Sequence, residues 1–322
     1  MDISCAFAAS LDTPDHIVIA ERLGYRRAWC YDSPPVYADV WMTLARAAER
    51  TRRIELGPGV LVPSLRHVLT NAAAMGTLVA LAPGRVVVGV GAGLSARLAL
   101  GQRPLPWGEV AAYIRALRAL LAGEEVEWEG APIRMLHPDG FAAARPIAVP
   151  LIVAAQGPKG RAVARELGDG LFTLGPQGGF PWVAQILFGT VLDPAEAVGS
   201  ARALAAAAHG AAVLYHATYD GRGWGAVTSL PGGDEWRRRA EALPARTRHL
   251  AIHDGHLVTL NALDEGVVTG DVLAPLGVAL DAAAWQARLA ESARVGVTEI
   301  VYQPAGPDIE RELATFAAMA GL

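Results

Sequence analysis

Ile54-Glu55-Leu56-Gly57-Pro58-Gly59-Val60-Leu61-Val62-Pro63, the apolar run Val68–Leu81, and Val86-Val87-Val88-Gly89-Val90-Gly91 follow one another along the chain. The first and last are short, apolar and punctuated by glycine or proline, as strands are, and the middle run is long enough for a helix. A strand, a helical crossover and a second strand make a parallel βαβ unit.

Outward from this unit the same alternation continues to both ends. Candidate strands start at Ile3, Ala28, Ile54, Val86, Leu151, Leu171, Gln185 and Glu299. Helical runs cover Pro14–Leu23, Asp39–Thr51, Val68–Leu81, Pro106–Leu121, Gly160–Leu167, Ala195–Ala208, Asp281–Val295 and Asp308–Met319, with start signals such as Thr13-Pro14 and Asp193-Pro194. This rhythm predicts an α/β protein of the (β/α)8 barrel type, a TIM barrel, rather than an open sheet. Two stretches break it. Glu124–Pro146 alternates around Glu129-Gly130 like a hairpin, and Thr218–Asp264 is rich in Gly, Trp, Arg and His. Neither resembles a linker, so the chain reads as one domain over 1–322 with insertions after the fourth strand and in the C-terminal half.

Composition narrows the function classes. Hydrophobic residues make up 52% of the chain and charged residues 19%, enough to bury a large core. The net charge of −4 offers no basic field, and Arg237-Arg238-Arg239 sits among Asp234, Glu235 and Glu241, so nucleic acid is excluded as a partner. No apolar run reaches the roughly twenty residues of a membrane span. Asp2 stands where a secretory signal carries basic residues, and Cys5 and Cys30 are too few for a disulfide framework; both point to a reducing cytoplasm.

In such a barrel the loops after the strands build the active site. After the second strand, Trp29-Cys30-Tyr31-Asp32-Ser33-Pro34-Pro35-Val36-Tyr37 could wall a flat ring, or Asp32 could simply start a turn and Asp39 cap the next helix. The glycines of Leu56–Pro63 suit either a bulge facing a ligand or an ordinary turn. Gly89-Val90-Gly91-Ala92-Gly93 would let a backbone approach a bulky cofactor, but Leu94 replaces the third glycine of a dinucleotide fingerprint. Gln156-Gly157-Pro158-Lys159-Gly160-Arg161 opens a helix and could hold a phosphate, with Thr173, Gly175 and Gln177 on its other side. His249, His253 and His256 lie close in sequence, yet without cysteine or a zinc-binding helix motif they read as pocket-lining or structural, and no metal is expected. Nucleophile elbow and Walker loop are both missing, which leaves the chemistry to a cofactor.

Taken in order, the segments Leu23-Gly24-Tyr25, Trp29-Cys30-Tyr31-Asp32, Leu56-Gly57-Pro58-Gly59-Val60, Arg66-His67, Pro83-Gly84-Arg85, Gly89–Gly93, Ala154-Ala155-Gln156-Gly157-Pro158 and Gly296-Val297-Thr298-Glu299-Ile300 resemble the luciferase-like monooxygenase superfamily. The resemblance implies a barrel with coenzyme F420 or, alternatively, FMN at its C-terminal mouth. It places a non-prolyl cis peptide at Gly59-Val60 behind the ring, with Leu61, Gly91 and Ala92 beside it. It also assigns an acidic site residue at Asp32. The histidine, glutamate and lysine of the family's sugar-phosphate and alcohol dehydrogenases are matched here by Ser33, Ala92 and Gln177.

These departures leave an F420-dependent reductase, passing hydride to a C=C or C=N bond of a small organic substrate, as the implied activity. Ser33, Tyr37, a histidine such as His67, or water would give the proton. Trp224, His253 and His256 would meet the substrate. A homodimer through the helices near the second and third strands is also implied. An FMN monooxygenase, a phosphate-dependent lyase or isomerase, and a non-catalytic cofactor-binding homologue are the other readings.

Overall fold

The computed structural model describes every residue from Met1 to Leu322. Eight strands form one parallel sheet: β1 (Asp2–Phe7), β2 (Arg27–Cys30), β3 (Glu55–Pro58), β4 (Val88–Gly91), β5 (Leu151–Ala154), β6 (Gly170–Thr173), β7 (Val183–Phe188) and β8 (Glu299–Gln303). Each begins within two residues of its expected position. Neighbours in sequence are neighbours in space, and β8 pairs with β1. The last gap, between β3 and β4, is closed by the Leu56–Val86 bridge, where Leu56 N–H donates to Arg85 O at 2.7 Å and Val87 N–H to Leu56 O at 3.1 Å. The barrel is therefore complete, as the strand–helix rhythm predicts. At this seam a Cβ on Gly57 would fall 2.0 Å from the Val87 carbonyl oxygen, so only glycine lets the strands meet.

The outer helices are α1 (Thr13–Arg22), α2 (Val40–Arg50), α3 (Val68–Leu81), α4 (Trp107–Ala122), α5 (Pro158–Leu167), α6 (Ala201–Arg222), α7 (Ala282–Val295) and α8 (Ile309–Ala320). In α2, buried Val40, Thr43, Leu44, Ala47 and Ala48 recur at helical spacing and make its barrel-facing stripe. Asp39 caps it by accepting from the backbone N–H of Trp41 and Met42 at 2.9 and 3.0 Å, a cap whose loss costs about 1 kcal/mol. At its far end Arg85 donates to Ala48 O at 3.3 Å, serving a carbonyl that the helix terminus leaves open.

Inside the barrel, Trp29, Phe172, Ile186 and Val301 form an apolar plug. Fully buried Trp29 donates through Nε1 to Glu299 Oε1 at 3.1 Å, and the same carboxylate accepts from Trp182 Nε1 at 2.6 Å and Arg27 Nη1 at 2.9 Å. Glu299 opens β8, so this network seals the N-terminal end of the barrel and leaves the other end for the site.

Two expectations are corrected. The helix expected over Ala195–Ala208 starts at Ala201, because Ala195 adopts φ +62° and Ser200 is the cap, its Oγ accepting from Ala203 N–H at 3.0 Å. The helix then runs unbroken through Thr218 to Arg222, so the second insertion begins later than its composition suggests. It continues as short helices Trp224–Val227, Gly233–Glu241, Arg248–Ile252 and Gly270–Leu276. With α6 they enclose a separate apolar core around Tyr215, Trp236, Ile252 and Leu273, and form a cap over the barrel mouth. The first insertion is the expected hairpin, Val126–Trp128 against Ala131–Ile133, turning at Glu129 and Gly130 with φ of +52° and +81°. No helix is long and apolar enough to cross a membrane.

Glu196, excluded from the helix, anchors the chain's entry to α6 instead. Arg202, then Ser200 and the Asp193 N–H, hold its carboxyl down to about 2. A lowered folded-state value means that its contribution is present above the ordinary value of 4.5 and fades as pH falls toward 2. Glu196→Gln is expected to lose more stability at pH 7 than at pH 3 in denaturant titrations. Equal losses at the two pH values would show that its charge is not the cause.

Candidate functional site

The C-terminal ends of the strands and the cap surround a cavity of about 440 Å³. Of the residues singled out from sequence, Asp32, Ser33 and Tyr37 line it after β2, Gly59 and Val60 after β3, and Gly91 and Ala92 at β4. Gln156 and Gly157 line it after β5, Thr173 at the end of β6, and His256 from the cap. Phe172, Ile186 and Phe188 supply apolar floor from β6 and β7.

The Gly59–Val60 peptide is cis, as the resemblance implies. The glycines of β4 also make room for the bulge. A Cβ on Gly89 would lie 2.7 Å from Val60 Cγ1, and one on Gly91 would lie 2.8 Å from Val60 Cγ2. They make room for the Val60 side chain, which packs on β4 and holds the bulge against the cavity. Leu61 turns into the core and is fully buried, so it does not face the cavity.

Asp32 is 1% exposed and receives Arg66 Nη1 on Oδ1 at 2.5 Å; Arg66 Nη2 also reaches Asp39 Oδ2 at 2.7 Å. Burial raises the Asp32 carboxyl above the usual range, with Arg66 pulling the other way. Its Oδ2 is buried without a partner, which leaves an acceptor on the cavity wall. Sequence reading chose the wrong neighbour here. His67 is exposed, its Nδ1 accepts from Leu69 N–H at 3.2 Å as the N-cap of α3, and its ring stands edge-on to Trp128; it does not line the cavity. Arg66 is the residue turned inward.

Tyr37 is not free to donate a proton, because its hydroxyl donates to His256 O at 2.5 Å and burial raises its pKa. It ties the cap to the barrel. A second tie runs from Tyr31 OH to Gln303 Oε1 at 2.7 Å and from Gln303 Nε2 to Leu257 O at 2.8 Å. Leu257, a cavity residue, sits at φ +59°. A left-handed leucine costs of order 1–3 kcal/mol and persists only where its surroundings hold it.

At the other end, Gly157 is the N-cap and Pro158 the first residue of α5, whose first N–H groups have no acceptor within the helix. Thr173 Oγ1 donates to Gln156 Oε1 at 3.1 Å, Gln177 Nε2 donates to Thr173 Oγ1 at 2.8 Å, and Arg161 Nη1 donates to Gln177 Oε1 at 2.6 Å. Pro158, Gly175 and Gln177 thus stand behind the wall and do not line it. The result is an apolar slot ending in hydrogen-bond donors and a positive helix terminus, which suits a planar ring with a phosphorylated tail.

Trp224 and His253 are also absent from the cavity wall. Trp224 packs on Tyr219 at 4.3 Å between ring centroids, in the cap's own core. His253 is buried behind His256, and its companion is His216 of α6 rather than His249, whose ring packs on Gly101. The signal for His216 was its spacing: His209, His216 and Asp220 follow one face of a helix at intervals of seven and four residues.

Residues 11–187, more than half of the chain, match the luciferase-like monooxygenase family. Over 192 residues the chain is 33% identical to an F420-dependent glucose-6-phosphate dehydrogenase of Intrasporangium calvum, covering 54% of this chain and 56% of that protein. Over 159 residues it is 35% identical to a 5,10-methylenetetrahydromethanopterin reductase of Methanolobus tindarius, covering 48% and 47%. The chain spans about half the length of the curated relatives it matches. The solved coenzyme F420-dependent tetrahydromethanopterin reductase of Methanopyrus kandleri matches 98% of both chains with a TM-score of 0.65 at 19% identity, a likeness of fold. The matched stretch carries β1's crossover through β7, the cis bulge and the donor-lined slot; by it, the chain belongs to the luciferase-like monooxygenase family.

Proposed function

We propose that this chain is an F420-dependent oxidoreductase, acting as a reductase on a C=C or C=N bond of a small organic substrate. The observation that carries the reading is the slot between the Gly59–Val60 bulge and the buried Asp32–Arg66 pair, in a chain whose relatives include enzymes named for F420. Two features fit the group: the unpartnered Asp32 Oδ2 and the open N–H groups of α5. When bound, the deazaflavin supplies a carbon that gives or takes hydride.

The chain's own residues position and enclose. Gly59 and Val60 would support the ring, and Gln156, Gly157 and Thr173 with the α5 terminus would hold the phosphate. The cap contributes His256 and Leu257 to the slot's wall, which would limit the water that reaches a bound ring. With Ser33 and Ala92 on the wall, and Gln177 engaged by Arg161, no histidine–glutamate–lysine set is present at those positions. Ser33 brings a hydroxyl to the wall, and at Asp32 burial raises the carboxyl while its Arg66 partner opposes the rise. This supports reduction assisted by positioning rather than oxidation of a sugar phosphate.

Fluorescence titration with F420 and with FMN tests the proposal, the expected result being F420 bound at least about tenfold tighter. Preference for FMN would replace it with the monooxygenase reading, and binding of neither with a scaffold. Turnover with neither cofactor would favour a lyase or isomerase. The same reading includes a cytoplasmic enzyme that dimerises through α2 and α3; α2 leaves Met42 71% exposed, and sedimentation analysis checks the dimer.

A further inference from the structure

Twelve buried side-chain nitrogen and oxygen atoms in the protein lack a hydrogen-bond partner, and five of them belong to one cluster in the cap. They are both ring nitrogens of His253, Nδ1 of His216 and of His256, and Oδ2 of Asp220. Buried polar atoms are ordinarily satisfied, so such a concentration calls for a missing partner. His216, His253 and His256 are each at least 96% buried, and one ligand atom from each lies within 4.8 Å of the others. Asp220 Oδ2 is 3.4 Å from His253 Nε2.

The surroundings prepare these rings as ligands. His216 Nε2 lies 3.1 Å from Asp264 Oδ1, and that carboxylate is itself fixed by Trp236 Nε1 at 2.9 Å. A carboxylate accepts only, so Nε2 is the donor here, and the unpartnered Nδ1 is the ring atom left to meet a ligand. His256 Nε2 lies 3.0 Å from Ser95 Oγ, a hydroxyl that can donate or accept, and its Nδ1 has no partner. Neither Asp220 nor Asp264 pairs with a lysine or arginine; their ion-pair partners are the histidines alone. Three imidazoles beside two carboxylates that no lysine or arginine offsets match a divalent cation, and nitrogen-rich donors match a borderline metal such as zinc rather than magnesium.

We infer that His216, His253 and His256, with Asp220 as fourth ligand, form a structural zinc-type site in the cap. Zn–N bonds of about 2.0–2.1 Å require the ligand nitrogens to draw closer than they stand, which small ring rotations supply. The ion joins α6, which carries His216 and Asp220, to the loop carrying His253 and His256. That loop continues into the cavity wall at His256 and Leu257, so the metal would set the shape of the slot's roof without touching its contents. This inference does not rest on the proposed cofactor.

The test uses the full, untagged chain. Elemental analysis after growth with added zinc is expected to give about one zinc per chain, and His216→Ala to abolish it while His137→Gln does not. Stripping with a chelator is expected to lower Tm, and zinc but not magnesium to restore it. Should His216→Ala fail to fold, cobalt added to the stripped native chain decides, the visible ligand-field absorption of a tetrahedral nitrogen-rich site being expected. Zinc-free protein whose Tm is unmoved by chelator or zinc, and which stays colourless with cobalt, would overturn the inference.

Discussion

Gly57→Ala is expected to destabilise the protein by at least about 4–5 kcal/mol, or to leave no soluble product, which places it among the most severe single substitutions. The new Cβ would stand 2.0 Å from Val87 O and 2.8 Å from its carbonyl carbon. Those are backbone atoms of the strand that closes the barrel, so relief requires β3 and β4 to part. Denaturant titration beside Gly157→Ala supplies the contrast. Gly157 has open space around its would-be Cβ and φ −94°, and its substitution is expected to change stability by less than about 1 kcal/mol. Similar, small effects at both positions would mean that the β3–β4 seam tolerates separation.

Arg66→Met is the second large effect, and its signature is pH. The substitution strips the only ion-pair partner from Asp32, a carboxyl 1% exposed, and orphaning a buried charge costs about 3–5 kcal/mol. Asp32 already has a raised pKa through burial, and losing Arg66 removes the group that opposes the rise. A carboxyl with a raised folded-state value is tolerated when protonated and becomes a burden as pH climbs through that value. The stability deficit of Arg66→Met against the native chain is thus expected to be greatest near pH 8 and to shrink by pH 5. A deficit constant across that range would place its cause in lost packing of the arginine. Pairing the variant with Asp32→Asn should remove most of the pH dependence, since the buried carboxyl is then gone and only the partly exposed Asp39 remains there.

Most of the barrel was legible in the sequence because each strand and its crossover helix announce themselves locally. Short apolar runs such as Leu151–Ala154 are bounded by turn residues, and Val68–Leu81 was placed to the residue. What failed was non-local. Asp193-Pro194 reads as a helix start, but Ala195 takes a left-handed turn so that Glu196 can meet Arg202. The site shows the same division. Loops after strands could be named in advance, and eleven of the residues expected there line one cavity. Which side chain of a pair turns inward could not: Arg66 and His67 differ by one position, and only the packing of α3 decides that His67 caps while Arg66 enters. The cap was least readable, since His216 joins His253 and His256 across a long sequence separation through the fold of α6.

Val60 occupies volume that Gly89 and Gly91 have vacated on the adjacent strand, so two segments some thirty residues apart share one steric allotment. Substitution at either partner is conditional on the other: a larger residue at position 91 becomes admissible only alongside a smaller one at position 60. Drift or directed evolution that samples β4 alone meets a wall of rejected variants, whereas paired libraries at positions 60 and 91 open routes to a differently shaped slot on the same scaffold.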